Sequence, residues 1–170
     1  MERQLSFEID LEAPIEAVWA AWTTEEGARA WFAPECLIDL RPGGAYEMYW
    51  EFQRPKGQQG SDEMIVLSAQ APELLSFTWN APVDMGELRQ QRTHVTVRLE
   101  ALGDQRTRLH FREDGWGAGE AWDERYAYFE RAWAGTVLPL LAYHFEHGPV
   151  NWRERPPLDA YRQRVKQIQN

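Results

Sequence analysis

Thr93-His94-Val95-Thr96-Val97-Arg98-Leu99-Glu100 and Arg106-Thr107-Arg108-Leu109-His110-Phe111-Arg112 are two alternating runs separated by a turn at Gly103-Asp104. In the first, Val95, Val97 and Leu99 face one way, with His94, Thr96, Arg98 and Glu100 facing the other. In the second, Leu109 and Phe111 oppose Arg108, His110 and Arg112. A period of two is the pattern of a half-buried strand, and a short Gly-Asp connection joins antiparallel neighbours. Working upstream, the same alternation runs without a fault through Leu5-Ser6-Phe7-Glu8-Ile9-Asp10-Leu11. Further strands are expected over 36–40, 45–53, 63–70 and 74–80. Over 45–53, Tyr46, Met48, Trp50 and Phe52 alternate with Glu47, Tyr49 and Glu51. Arg41-Pro42-Gly43-Gly44 is turn chemistry, and 54–62 reads as a polar loop.

The helical signals fall on either side of these strands. Pro14 opens a helix carrying Ile15, Val18, Trp19 and Trp22 on one face. Thr23 or Thr24, followed by Glu25-Glu26, caps a second short helix that bears Trp31 and Phe32 and ends at Pro34. Downstream of Gly115-Trp116-Gly117-Ala118-Gly119, residues 120–147 form the longest helical pattern. Trp122, Tyr126, Phe129, Trp133, Val137, Leu140 and His144 recur at steps of three and four and share one face. Glu124, Arg125 and Arg131 are assigned to the other faces, and Pro139 is expected to bend the helix. The order is strand, two short helices, six strands, long helix. It predicts an α+β fold: a curved seven-stranded antiparallel sheet, first strand beside last, around the aromatic face of the long helix. One domain over 1–150 is expected, followed by a tail over 151–170 with a short helical candidate at 158–168.

The chain has 170 residues, 44% apolar and 26% charged, the balance of an ordinary globular domain. Aromatic residues reach 13%, with nine tryptophans. Eighteen basic against 27 acidic residues leave a formal charge of −9, which argues against nucleic acid and anionic membrane surfaces as partners. No apolar run approaches the length of a membrane span. Cys36 has no second cysteine to pair with, and Met1-Glu2-Arg3-Gln4-Leu5 does not open a secretory signal. A cytoplasmic protein is expected.

Three stretches resemble a known family. Ala13-Pro14-Ile15-Glu16-Ala17-Val18-Trp19, with Ala21-Trp22-Thr23-Thr24 and Trp31-Phe32-Ala33-Pro34, is similar to the opening of the START-like (SRPBCC) superfamily. The most similar branch is the one named for the activator of the 90-kDa heat-shock protein's ATPase. Arg41-Pro42-Gly43-Gly44 matches its Gly-Gly turn; Glu113-Asp114-Gly115-Trp116-Gly117, Trp122 and the span from Trp133 to Leu141 resemble its closing helix. The resemblance covers about residues 3–148, in the family's order. It implies a helix-grip fold with a cavity between sheet and C-terminal helix, where superfamily relatives hold sterols, lipids, polyketides and other apolar molecules. A few relatives catalyse cyclisation or hydrolysis, and the branch takes its name from a co-chaperone.

On that fold Tyr46, Met48 and Trp50, Phe77 and Trp79, Val97 and Phe111 converge from the strands. Trp122, Tyr126, Phe129 and Trp133 face them from the helix. These rings either wall a pocket for an apolar ligand or fill the volume as a solid core. Glu113 continues the inward phase of Leu109 and Phe111. Beside Trp116 it is a candidate to meet a ligand hydroxyl or act as a base; the alternative is a strand end facing water. Gly115-x-Gly117-x-Gly119 fails the dinucleotide fingerprint, since position 120 is Glu and the neighbouring strands are antiparallel. His144 and His147 lack a third ligand for a metal, and the negative end of a helix already accounts for them. No cofactor is implied. The expected function is binding of an apolar or aromatic small molecule without covalent chemistry. The alternatives are a protein-interaction domain of co-chaperone type, including a homodimer, and a cyclase- or hydrolase-type enzyme using Glu113 or Tyr126.

Overall fold

The computed structural model describes residues 2–169. Strand β1 (Leu5–Leu11) leads into α1 (Ile15–Thr23) and α2 (Glu25–Arg29). Pro14 stands at the N-cap of α1. Thr24 separates the two helices with one hydroxyl: Oγ1 donates to Ala20 O at 2.8 Å, closing α1, and accepts from Gly27 N at 3.0 Å, starting α2. Trp31 and Phe32 lie just beyond α2 and are buried.

Then follow β2 (Glu35–Ile38), β3 (Tyr46–Tyr49), β4 (Val66–Gln70), β5 (Leu74–Trp79), β6 (Thr93–Gly103) and β7 (Arg106–Asp114). Six strands form one antiparallel sheet in the order β4-β5-β6-β7-β1-β8, where β8 is Lys166–Gln167 from the tail. First and last body strands pair as expected, with Phe7 opposite Phe111 and Leu5 opposite Glu113. The expected single sheet of seven is corrected in two places. Strands β2 and β3 form a separate pair, joined to the stretch before β4 only by scattered bonds such as Tyr46 N to Met64 O and Ser61 N to Met48 O. Residues 63–65 do not extend regularly, because a turn with Glu63 at φ 67° occupies the start of that segment. The Asp62 carboxylate organises this turn by accepting from the backbone N–H groups of Gly57, Gln59 and Gly60. The second correction is β8, which extends the sheet beyond β1; a two-residue strand of Lys and Gln carries no alternation to read.

The closing helix comes in three parts: α3 (Glu120–Ala132), a π-helical turn (Trp133–Val137) and α4 (Leu138–His147). Pro139 has no N–H to give its helical acceptor, Gly135 O. The break is absorbed one turn earlier, where Leu138 N–H reaches back five residues to Trp133 O. Arg162 of α5 (Asp159–Arg162) donates Nε to the vacated Gly135 carbonyl at 2.7 Å. The sheet's inner face grips this helix: Phe111 and Trp133 meet at 4.5 Å, centroid to centroid.

Candidate functional site

A cleft of about 360 Å³ opens where the ends of β3 and β5 meet α3 and the π turn. Its floor is made of buried rings, Phe32, Trp79 and Trp133, with centroids 5.3–6.1 Å apart. Trp50, 36% exposed, and Tyr128, 40% exposed, rise at its edges, and Trp152 from the tail adds a further wall. Trp50 sits close over Gly60. A Cβ on that residue would come within 2.0 Å of Met48 O and 2.8 Å of the Trp50 ring. At the rim Arg54 is held by Glu51 at 2.5 Å. Arg89 is buried against Asp62 at 3.2 Å and also donates to the carbonyls of Gly57, Gly60 and Ala81. The loop over 57–62 is thereby fixed to the segment after β5.

Of the residues expected at a ligand site, Trp50, Trp79, Phe129 and Trp133 border this cleft. Tyr46, Met48, Phe77, Val97 and Phe111 lie beneath it at no more than 1% exposure, packed as core, with Tyr46 stacked on Phe77 at 4.2 Å. Trp116, Trp122 and Tyr126 gather around two arginines. The Arg125 guanidinium lies 5.0 Å from the Trp122 ring and 5.9 Å from Trp116, and Arg3 lies 4.7 Å from Tyr126. Sequence reasoning passed over Phe32, Tyr128, Trp152 and the rim arginines. Tyr128 falls off the helix's apolar stripe. Trp152, in a polar tail, was the one visible signal.

Glu113 is fully buried. Its Oε1 accepts from the Thr93 hydroxyl at 2.6 Å and its Oε2 from the Trp133 indole N–H at 2.8 Å. Burial pushes its carboxyl up to about 7, opposed by those two bonds and by the charge of Arg125. Arg125, assigned by its spacing to an outer helix face, is also fully buried. It donates to the Thr93 hydroxyl at 3.1 Å, to Trp79 O at 3.2 Å, to Leu88 O and to Gln91 O, and burial brings its pKa down to about 10. The Thr93 hydroxyl accepts from the guanidinium and donates to the carboxylate. This network holds the indole of Trp133 and the backbone of Trp79, two floor residues, from behind. The Glu113 oxygens both face protein donors, and the residue does not line the cleft.

The remaining chemical candidates serve structure. Cys36 is buried, its thiol pushed up to about 11 chiefly by desolvation. His147 shares a 2.6 Å hydrogen bond with the Tyr161 hydroxyl, which donates to Glu146 and ties the tail to α4. His94 and His110 lie on the outer face beside Asp114, Glu8 and Glu100. Among the described residues no helix is long and apolar enough to cross a membrane.

The chain's residues 12–143 match the model of the family described as Activator of Hsp90 ATPase homolog 1-like protein. No curated protein matches. Among solved structures, CalU16 from Micromonospora echinospora is 21% identical, with a TM-score of 0.64 over 95% of this chain and 83% of that one. The Aha1 dimer from Colwellia psychrerythraea gives 18%, 0.65, and coverages of 86% and 98%. An HSP90 activator from Plasmodium falciparum gives 17%, 0.59, 86% and 94%. At these identities the likeness is one of fold. The family match extends over most of the chain, through both opening helices, the sheet and the closing helix: this protein belongs to the Activator of Hsp90 ATPase homolog 1-like family.

Proposed function

We propose that this protein binds an apolar or aromatic small molecule in the cleft between sheet and closing helix, without covalent chemistry. The observation that carries the reading is the cleft's construction: an open space whose floor is indole and phenyl rings, with the two tryptophans held from behind by the Glu113–Thr93–Arg125 network. A ligand entering it covers apolar surface at about 25 cal/mol per Å² and meets rings that need no reordering. Its volume lies at the small end of ligand sites, which span roughly 300–1,000 Å³. An acid–base role for Glu113 has less support, since both carboxylate oxygens already serve the protein and the group lies behind Trp133. A protein partner is the second reading. The family's name favours it, as do two similar structures, an HSP90 activator and an Aha1 dimer, and Leu37, Leu40 and Leu67, exposed outside the cleft.

The test is calorimetric titration with 2-naphthamide, a neutral aromatic probe. Trp50→Ala and Tyr128→Ala, which remove rings from the cleft's edges, are expected each to weaken binding by about tenfold with the fold retained. Absence of binding, or unchanged affinity in both variants, contradicts the reading. Leu37→Ser and Leu67→Ser are expected to leave the affinity unchanged.

A further inference from the structure

We propose that the ligand of this cleft carries a carboxylate on its aromatic or apolar body, and that Arg155 reads it; the inference rests on the cleft being a binding site. Three arginines border the cleft, and two are consumed by the protein. Arg54 is paired with Glu51 and lies 3.9 Å from Asp84, and Arg89 is spent on Asp62 and three carbonyls. Arg155 is exposed at the rim and, among the described residues, has no hydrogen bond or ion pair to any protein group. Asp62 offsets Arg89, and Glu51 and Asp84 face Arg54, so among the described residues Arg155 is the one guanidinium bordering the cleft whose donors are all free, in a chain whose net charge is −9. The general field repels anions, so at this mouth the attraction for one comes from the unpaired guanidinium itself.

The segment bearing Arg155 is held on both sides. Val150 N donates to Ala30 O at 2.8 Å and the Trp152 indole N–H to Arg29 O at 2.9 Å. Beyond Pro156-Pro157, Leu158 and Tyr161 are buried against the body. Two prolines fix φ across the intervening arch, so the base of the side chain is set relative to the rings before a ligand arrives. A planar guanidinium with all its donors free matches a carboxylate in two parallel bonds. A phosphate dianion would meet the same fork but brings a second charge that one unpaired arginine does not offset. Trp152 and Arg155 also lie outside the stretch matched by the family model, residues 12–143. The carboxylate reader is thus a residue of the tail, outside the stretch that carries the family match.

The test compares 2-naphthoate with 2-naphthamide by calorimetry at pH 7.5 and low salt, for the full chain and for Arg155→Gln. The wild-type protein is expected to bind the acid about tenfold more tightly than the amide. Arg155→Gln is expected to erase that preference, chiefly by weakening binding of the acid. Equal or weaker binding of the acid by wild type overturns the carboxylate assignment and leaves the cleft reading intact. A preference that survives in Arg155→Gln overturns the role of Arg155. If neither probe binds, the cleft reading falls and this inference falls with it.

Discussion

Glu113 and Arg125 are two charged side chains enclosed by an aromatic core, and the Thr93 hydroxyl between them decides what they do. An unpartnered charge there would cost several kcal/mol, so the network has to be satisfied nearly in full; Arg125 Nε is the one member atom among the described residues left without a partner. Since the folded-state pKa of Glu113 is raised from 4.5 to about 7, the folded protein binds a proton that the unfolded chain has released across that window. Stability from this group is complete below pH 4.5 and lost as pH rises through 7, in all about 3 kcal/mol. Urea unfolding of wild type and Glu113→Gln from pH 4 to 8 is expected to show that loss in wild type alone. Parallel curves would mean that Glu113 is already ionised when folded at pH 5. The phase of Leu109 and Phe111 made the inward aim of Glu113 legible. Arg125 was not legible, because helical spacing assigns a charged residue to water unless its acceptors are known. Those acceptors are carbonyls around Trp79, Leu88 and Gln91, 34 to 46 residues away in sequence.

At the scale of elements, alternation read β1, β5, β6 and β7 closely, since each buries one face against the closing helix. The breaks were harder to read. The proline marked a bend, but hydrophobic spacing does not say how the bend is absorbed, and here it becomes a π turn that presents Trp133, Thr136 and Val137 to the cleft. The turn before β4 hinges on Asp62 and Arg89, a pairing between distant loops that no local pattern encodes. Two glycines beside this helix separate packing from flexibility. At Gly117 a Cβ would lie 2.3 Å from the Trp122 indole nitrogen, while at Gly135 nothing stands within 4 Å. Gly117→Ala is therefore expected to cost about 1–3 kcal/mol by displacing Trp122. Gly135→Ala should be neutral or stabilising by up to about 1 kcal/mol. Thermal unfolding of the two variants checks the pair, and equal effects would contradict the packing described at Gly117.

For the whole molecule, the sequence left open whether the converging rings form a wall or a fill, and the structure divides them. The deeper rings, from Tyr46 to Phe111, close-pack as core. The outer ones, with Trp152 from the tail, border an open cleft. That division follows from the ends of the strands: Trp50 lies just past β3 and Trp79 closes β5, so both reach the margin of the sheet beside the π turn. It also sorts the nine tryptophans into reporters. Trp50, Trp79, Trp133 and Trp152 border the cleft, whereas Trp19, Trp22, Trp31, Trp116 and Trp122 do not. The most direct measurement is a nitrogen-15 spectrum of the indole N–H groups during titration with 2-naphthamide. Saturating shifts confined to the first four signals are the predicted result. No shift at saturating probe, or shifts centred on Trp116 and Trp122, would contradict binding in this cleft.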